Sequence, residues 1–410
     1  MIEQEFIKKL ATKTDSKIVL IVMDGLGGCQ NESGKTELEM ANHPNMDALA
    51  KKSICGLSDP ISAGITPGSG PAHLSLFGYD PLKYEIGRGL LDTLGIDFEF
   101  ISGDLAARGN FCTVDDSGVI TDRRAGRIPT EKNIALCKKL DGMEIDGVKI
   151  FVMPVKEHRF SVIFRGQNLS DKLLDSDPQK EGLKPLEVVT TDKSAENSAK
   201  IANKFIKKAE QILSTCQSEV IDSKNEHKAN MILLRGFSKM VNLPKFQDVY
   251  KLTPACIAIY PMYRGLARLC GMEVLNAGGT IESEFETLKT NFSNYDFFYF
   301  HIKQTDSSGE DGDFQRKVKV IEQVDTLIPL LTNLNSDVII ITGDHSTPAV
   351  HSGHSWHPVP VLIYSKKCRF DKVERFTEID CIAGGLGRIN ARDVISLALS
   401  NAGKLLKYGA

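Results

Sequence analysis

Val338-Ile339-Ile340-Ile341-Thr342-Gly343-Asp344-His345 is the stretch on which the fold turns. Its four apolar, β-branched residues have the run of a strand buried on both faces. Asp344 and His345 then follow within four residues. A carboxylate at the end of a buried strand is costly unless it is paired or bound to a cation. His351, His354 and His357 come next, before Pro358-Val359-Pro360, so four of the nine histidines fall together. Imidazole nitrogen and carboxylate oxygen are ordinary ligands of divalent metals, and the stretch predicts a metal site at a strand's end. A His-rich surface turn is the other reading of this stretch taken alone.

The same arrangement recurs elsewhere in the chain. Lys17–Met23 is almost wholly apolar and runs into Asp24, Gly25, Gly27 and Gly28. Tyr295–Ile302 is strand-like and runs into Lys303-Gln304-Thr305-Asp306, with Glu310 one helical turn beyond. In parallel α/β sheets the carboxyl ends of the strands share one edge, where ligands bind. Asp24, Asp306 and Asp344 gathered there would repel one another. One or two divalent cations are the cheapest solution, with His345 and His354 completing the ligand set. Thr66-Pro67-Gly68-Ser69-Gly70-Pro71 reads as an exposed loop entering a helix. If it reaches that edge, Ser69 is an activated nucleophile suited to phosphoryl transfer. Taken alone, a Gly-Ser-Gly turn is as readily only a turn.

Between these segments the character changes. Gly103–Arg127 carries Arg108, Arg123, Arg124 and Arg127, with a hairpin turn expected at 115–118. Ser194–Cys216 predicts an amphipathic helix, and Met231–Leu234 a strand ending in Arg235. Residues 97–248 therefore form a separate α+β unit, while Asp313–Leu331 predicts a second long helix in the α/β part. In His43–Ala50, Asn45 is expected to cap a short helix. His158, beside Arg159, has either a substrate-facing or a structural reading.

At 410 residues with a net charge of -3, the chain suits two domains and gives no reason to expect nucleic acid or membrane as partner. No apolar run of spanning length is present. The N-terminal segment is charged, and nine scattered cysteines fit reduced thiols in a cytoplasm.

Several segments together resemble a known family. They are Val22-Met23-Asp24-Gly25, His43-Pro44-Asn45-Met46-Asp47-Ala48-Leu49-Ala50, Thr66–His73, Arg108-Gly109-Asn110-Phe111, Asp122–Ile128, Gly343–Pro348, and His354 before Pro358-Val359-Pro360. The chain resembles the archaeal-type branch of the cofactor-independent (2,3-bisphosphoglycerate-independent) phosphoglycerate mutases, in the alkaline phosphatase superfamily. The resemblance implies an alkaline-phosphatase-like three-layer α/β/α domain, 1–96 with 249–410, interrupted by an inserted phosphotransferase domain, 97–248. It implies a cytoplasmic isomerase interconverting 3- and 2-phosphoglycerate through a phosphoserine on Ser69. Asp24, Ser69, Asp344 and His345 would hold one metal; Asp306, His354 and the residue at 310 would hold the other. Arg108, Arg124, Arg127, Arg235 and Arg264 would grip phosphate and carboxylate. Manganese is the expected ion, with magnesium, cobalt or zinc as alternatives, and 2,3-bisphosphoglycerate is not required. The expected partner is a small phosphorylated substrate, and self-association is left open.

One departure stands out. The family has Asp-x-x-x-His where this chain has Asp306-x-x-x-Glu310. Glu310 trades nitrogen for oxygen, which favours manganese or magnesium over zinc; His301 or His351 would replace it if Glu310 faces solvent. A phosphatase or phosphotransferase acting on another small metabolite, and an inactive metal-binding homologue, are the alternative functions.

Overall fold

A computed structural model describes residues 3–216, 221–222 and 225–409 of the chain. The chain divides into two compact units, Met1–Glu85 with Leu243–Ala410, and Ile86–Asn242.

The first unit is built around the strand Ile18–Met23, buried along its whole length. It pairs in parallel with Phe297–Ile302 on one side and Val338–Thr342 on the other. The three apolar runs read from the sequence thus lie side by side and point the same way. Among the described residues the sheet has eight strands, in the order Glu273–Val274, Pro254–Ala258, Phe297–Ile302, Ile18–Met23, Val338–Thr342, Val359–Ser365, Ser53–Asp59 and Gly387–Asn390. Val359–Ser365 runs antiparallel to both of its neighbours, so Ser53–Asp59 again points the same way as Val338–Thr342.

Helices cover both faces, giving the expected three layers. Val19, Ile21, Phe298, Phe300, Ile339 and Ile341 share one core with Phe285 and Leu288 of helix Ile281–Asn291 and with Ile321, Val324 and Ile328 of helix Phe314–Thr332. The alternate residues face the other way. There Tyr299 meets Phe77 at 4.8 Å, and Phe297 meets Phe246 at 4.7 Å.

Helix Phe314–Thr332 begins one residue after the expected start, because Asp313 caps it by accepting from the Arg316 amide at 3.0 Å. Pro329 lies inside this helix and cannot donate to the Asp325 carbonyl. Asn45 fills the gap, its Nδ2 donating to that carbonyl at 3.1 Å and to the Asp325 carboxylate at 2.9 Å. Asn45 is therefore not the cap of its own helix, Pro44–Ala50; His43 holds the N-cap position and Asn45 ties that helix to its neighbour.

The second unit has an antiparallel sheet in the order Met231–Ser238, Leu105–Val114, Arg159–Arg165, Val148–Lys156 and Glu144–Ile145, with Ile120–Asp122 on Leu105–Val114. Helix Glu196–Thr215 buries Ile201, Phe205, Ala209 and Leu213 against it, on the face its periodicity predicts. The unit opens at Ile86 rather than at 97, because helix Arg88–Gly95 packs on this sheet. Gly89 makes that contact close: a Cβ there would lie 2.5 Å from the Ala107 Cα. The unit ends at Asn242 rather than 248, because Phe246 belongs with Phe77 and Phe297 of the first unit.

Candidate active site

Asp24, Asp306 and Asp344 follow the carboxyl ends of the three parallel strands and are all buried. Ser69 begins helix Ser69–Leu76, after the chain leaves the like-directed strand Ser53–Asp59. It is only 5% exposed, so the Gly-Ser-Gly segment is not the exposed loop expected. The Ser69 Oγ lies 3.2 Å from His345 Nε2.

Hydrogen bonds fix which way each group points. Thr347 Oγ1 donates to Asp306 Oδ1 at 2.7 Å and lies 2.9 Å from His345 Nδ1. Its single proton is thereby used, so His345 Nδ1 carries the hydrogen and Nε2 presents a lone pair. Burial, reinforced by His354, pushes His345 down to about 3 and keeps it neutral. That nitrogen lies 3.4 Å from Asp24 Oδ1 and 3.2 Å from Asp344 Oδ2. His354 repeats the pattern. Its Nδ1 donates to the Pro67 carbonyl at 2.9 Å, in the loop before Ser69, and its Nε2 lies 3.6 Å from Asp306 Oδ1.

Two sets of ligand atoms result, each within 4.8 Å of one another: Asp24, Asp344 and His345, and Asp306, His345 and His354. His345 belongs to both. Asp24 Oδ1 and Asp344 Oδ2 are buried and accept no hydrogen bond. Unpartnered buried oxygens of Asp24 and Asp344 converging with the His345 Nε2 lone pair are the donor set of a divalent cation, and these residues fit one.

Glu310 stands outside both sets. Its side chain is 42% exposed and its Oε1 is 3.9 Å from His354 Nε2. His351 is exposed, and its ring lies parallel to that of His357 at 6.3 Å. His301 also lies outside both sets, buried behind Asp24 and donating from Nε2 to its Oδ2 at 3.2 Å.

The sequence reading misses Lys303, which reaches this centre from the end of the Phe297–Ile302 strand. Its Nζ donates to Asp24 Oδ2 at 3.0 Å and to Asp306 Oδ2. Although burial opposes it, Asp24 and Asp306 raise the lysine well above its ordinary value. Lys303, with His301 and His345, in turn holds Asp24 well below the carboxylate range against the effect of burial. A lysine three residues before Asp306, at the same strand end, was the available signal. Tyr263 is also missed. Its hydroxyl donates to Asp24 Oδ2 and its ring stacks on His301 at 3.6 Å. His73 completes this layer, with Nδ1 2.8 Å from the Ser69 carbonyl and 3.1 Å from Asp344 Oδ2.

In the second unit, Arg108 and Arg235 are register partners on adjacent strands. Arg108 is buried and grips Asp92, with 2.7 Å between Nη2 and Oδ1. Arg235 is drawn down to about 10 by burial and by Arg88 and Arg108, with Asp177 at 3.6 Å offsetting them. Arg124 and Arg127 are exposed on a turn whose residues Ala125, Gly126 and Arg127 all have positive φ. Asp122 holds this strained turn, accepting from the Arg124 amide at 2.7 Å and the Gly126 amide at 2.6 Å. His158 lies buried among these arginines. Burial, then Arg159, Arg124, Arg127 and Arg108, depress its imidazole, which stays neutral. Arg264 is half-buried in the first unit, one residue after Tyr263.

Residues 50–218 match the family model described as 2,3-bisphosphoglycerate-independent phosphoglycerate mutase. A Thermosipho africanus protein, "Probable 2,3-bisphosphoglycerate-independent phosphoglycerate mutase", is 54% identical over 410 residues, covering 99% of each chain. This chain belongs to the 2,3-bisphosphoglycerate-independent phosphoglycerate mutase family. It is accordingly an isomerase. A Thermotoga maritima member bearing the same name is 52% identical over 100% of this chain and 99% of its own. Among solved structures, a Pyrococcus horikoshii protein aligns with a TM-score of 0.83 at 30% identity, over 97% of this chain and all of its own. The cofactor-independent phosphoglycerate mutase of Thermoplasma acidophilum aligns with a TM-score of 0.68 at 33% identity, over 95% and 100%. The fold and the family thus agree along the whole chain, not only in the segment that the family model matches.

Proposed function

We propose that this enzyme interconverts 3-phosphoglycerate and 2-phosphoglycerate through a phosphoserine on Ser69, without 2,3-bisphosphoglycerate. The observation that carries the reading is the Ser69 hydroxyl, buried at a helix start and 3.2 Å from His345 Nε2, the nitrogen that converges with the unpartnered oxygens of Asp24 and Asp344. Asp24, Asp344 and His345, with Ser69, would hold one divalent cation; Asp306 and His354, with Glu310 at the margin, would hold the second. Manganese is the preferred ion, because most of these donors are oxygens. When bound, such cations lower the pKa of the serine hydroxyl and offset charge on the transferred phosphoryl group.

The chain's own groups do the rest. Ser69 Oγ bonds to phosphorus as the bond from phosphorus to the 3-oxygen of glycerate breaks, and the proton lost by Ser69 ends on that oxygen. The freed glycerate turns, and its 2-hydroxyl oxygen bonds to phosphorus as the Ser69 ester breaks; the hydroxyl proton returns to Ser69. The helix amides following Gly68 favour the phosphoryl anion at this position. Arg108, Arg124, Arg127, Arg235 and Arg264 are assigned to the phosphate and the glycerate carboxylate, which Arg grips in bidentate fashion.

A coupled assay for 2-phosphoglycerate with manganese-loaded enzyme tests this reading, together with acid quenching of 32P-labelled substrate. Wild type should turn over and carry label on Ser69, and Ser69→Ala should lose both. Hydrolysis of phosphate esters with no 2-phosphoglycerate formed would establish the phosphatase alternative instead. Full activity in Ser69→Ala would remove the nucleophile.

A further inference from the structure

At the opposite end of the central strands the first unit has a cavity of about 280 Å3, close to the lower bound of small-molecule sites. Leu49, Ile328, Pro329, Ile339 and Tyr364 form its apolar wall. Ile339 is the second residue of its strand, and Asp344 lies five residues on, roughly 16 Å along an extended chain. The cavity is therefore separate from the phosphoryl-transfer edge.

Two features of its lining ask for a ligand. Ser336 is 3% exposed, and its Oγ is buried without a hydrogen-bond partner. An unmet buried hydroxyl is destabilising unless something fills the cavity and bonds to it. The second feature is charge. Lys52 and Lys366 line the cavity and are exposed. Ser53 pairs with Tyr364 in the antiparallel ladder, so the pairs Lys51-Lys52 and Lys366-Lys367 emerge side by side from adjacent strand ends. Among the described residues none of the four has an ion-pair partner. Like charges brought together by strand register are destabilising, and an anion relieves them.

We propose that this cavity is a second small-molecule site, for an organic anion. Its carboxylate or phosphate head sits between Lys52 and Lys366, its short apolar body lies against Ile328, Pro329 and Ile339, and it accepts a hydrogen bond from Ser336.

The probe is benzoate, with benzamide as its neutral counterpart, followed by calorimetry and by the methyl resonances of Ile328 and Ile339. Benzoate should bind saturably and shift both methyls, with benzamide about tenfold weaker, the worth of one charged contact. Lys52→Gln with Lys366→Gln should bring benzoate to the benzamide level. Ser336→Ala should weaken benzoate while leaving Tm unchanged or raised, since it removes an unmet polar group. The lysine substitutions are at exposed positions, so unchanged Tm and mutase activity serve as the folding control. Absence of methyl shifts, equal affinity for benzamide, or unchanged benzoate affinity in the double variant would each overturn the site.

Discussion

Lys303 decides the charge balance of the centre. Its single ammonium sits against two of the three buried carboxylates, Asp24 and Asp306, where a cation's charge also belongs. Lys303→Met should therefore tighten manganese binding, by about tenfold in Kd, while lowering kcat/KM by about 100-fold through loss of a fixed positive charge near the phosphoryl group. Calorimetric titration with manganese separates the two effects; a weaker metal Kd in this variant would contradict the balance argued here. A second residue governs stability rather than catalysis. Burial pushes Glu284, near the start of helix Ile281–Asn291, from 4.5 up to about 9, and the Ile259 backbone beside it offsets this only in part. A carboxyl raised in the folded state contributes its full stability below its ordinary value and loses it as pH climbs towards 9, at about 1.4 kcal/mol per pH unit. Glu284→Gln does not titrate, so the Tm difference between variant and wild type should grow in the variant's favour from pH 5 to pH 9. A difference that stays constant across that range would show the carboxyl to be hydrated.

Elements hold the site through contacts that leave no room. Lys317, fully buried on helix Phe314–Thr332, donates to the Gly27 carbonyl at 3.0 Å and the Thr347 carbonyl at 2.9 Å. One helix thus clamps the loops that follow two of the three metal-edge strands, and Thr347 passes that order on to Asp306 and His345. In the second unit the corresponding close contact is Gly89. A methyl there would meet the Ala107 Cα at 2.5 Å and the Ala106 carbonyl oxygen at 2.7 Å, both backbone atoms that cannot step aside. Gly89→Ala should destabilise the protein by about 1–3 kcal/mol, despite alanine's better helix propensity. Urea unfolding measures this, and a stabilised variant would show that helix Arg88–Gly95 is free to shift away from the sheet.

At the scale of the molecule, the two units have separate cores, and among the described residues the candidate metal ligands lie in the first. The ends of Ile86–Asn242 come together: the Gly87 amide donates to Ser238 Oγ at 3.3 Å. A fragment of residues 86–242 should fold cooperatively on its own, with a Tm indifferent to manganese. The full chain should lose several degrees of Tm on EDTA treatment, because a cation held at 100 times its Kd contributes about 2.7 kcal/mol. Circular dichroism melts of both decide this; a fragment that responds to manganese would relocate metal binding. Among the described residues no helix is long and apolar enough to cross a membrane. By itself the sequence determined the three apolar strands, the acidic residue after each, the two amphipathic helices and the family, because periodicity and strand-end chemistry are local. It could not determine that Ser69 is buried, that Glu310 stands at the margin, that His345 belongs to both ligand sets, or that Lys303 and Tyr263 converge on Asp24. Those depend on which strands become neighbours and which hydrogen bond fixes each imidazole: Ser69 meets His345, and Lys303 and Tyr263 meet Asp24, across more than 200 residues of chain, while His345 is oriented by Thr347, which is itself held by Asp306.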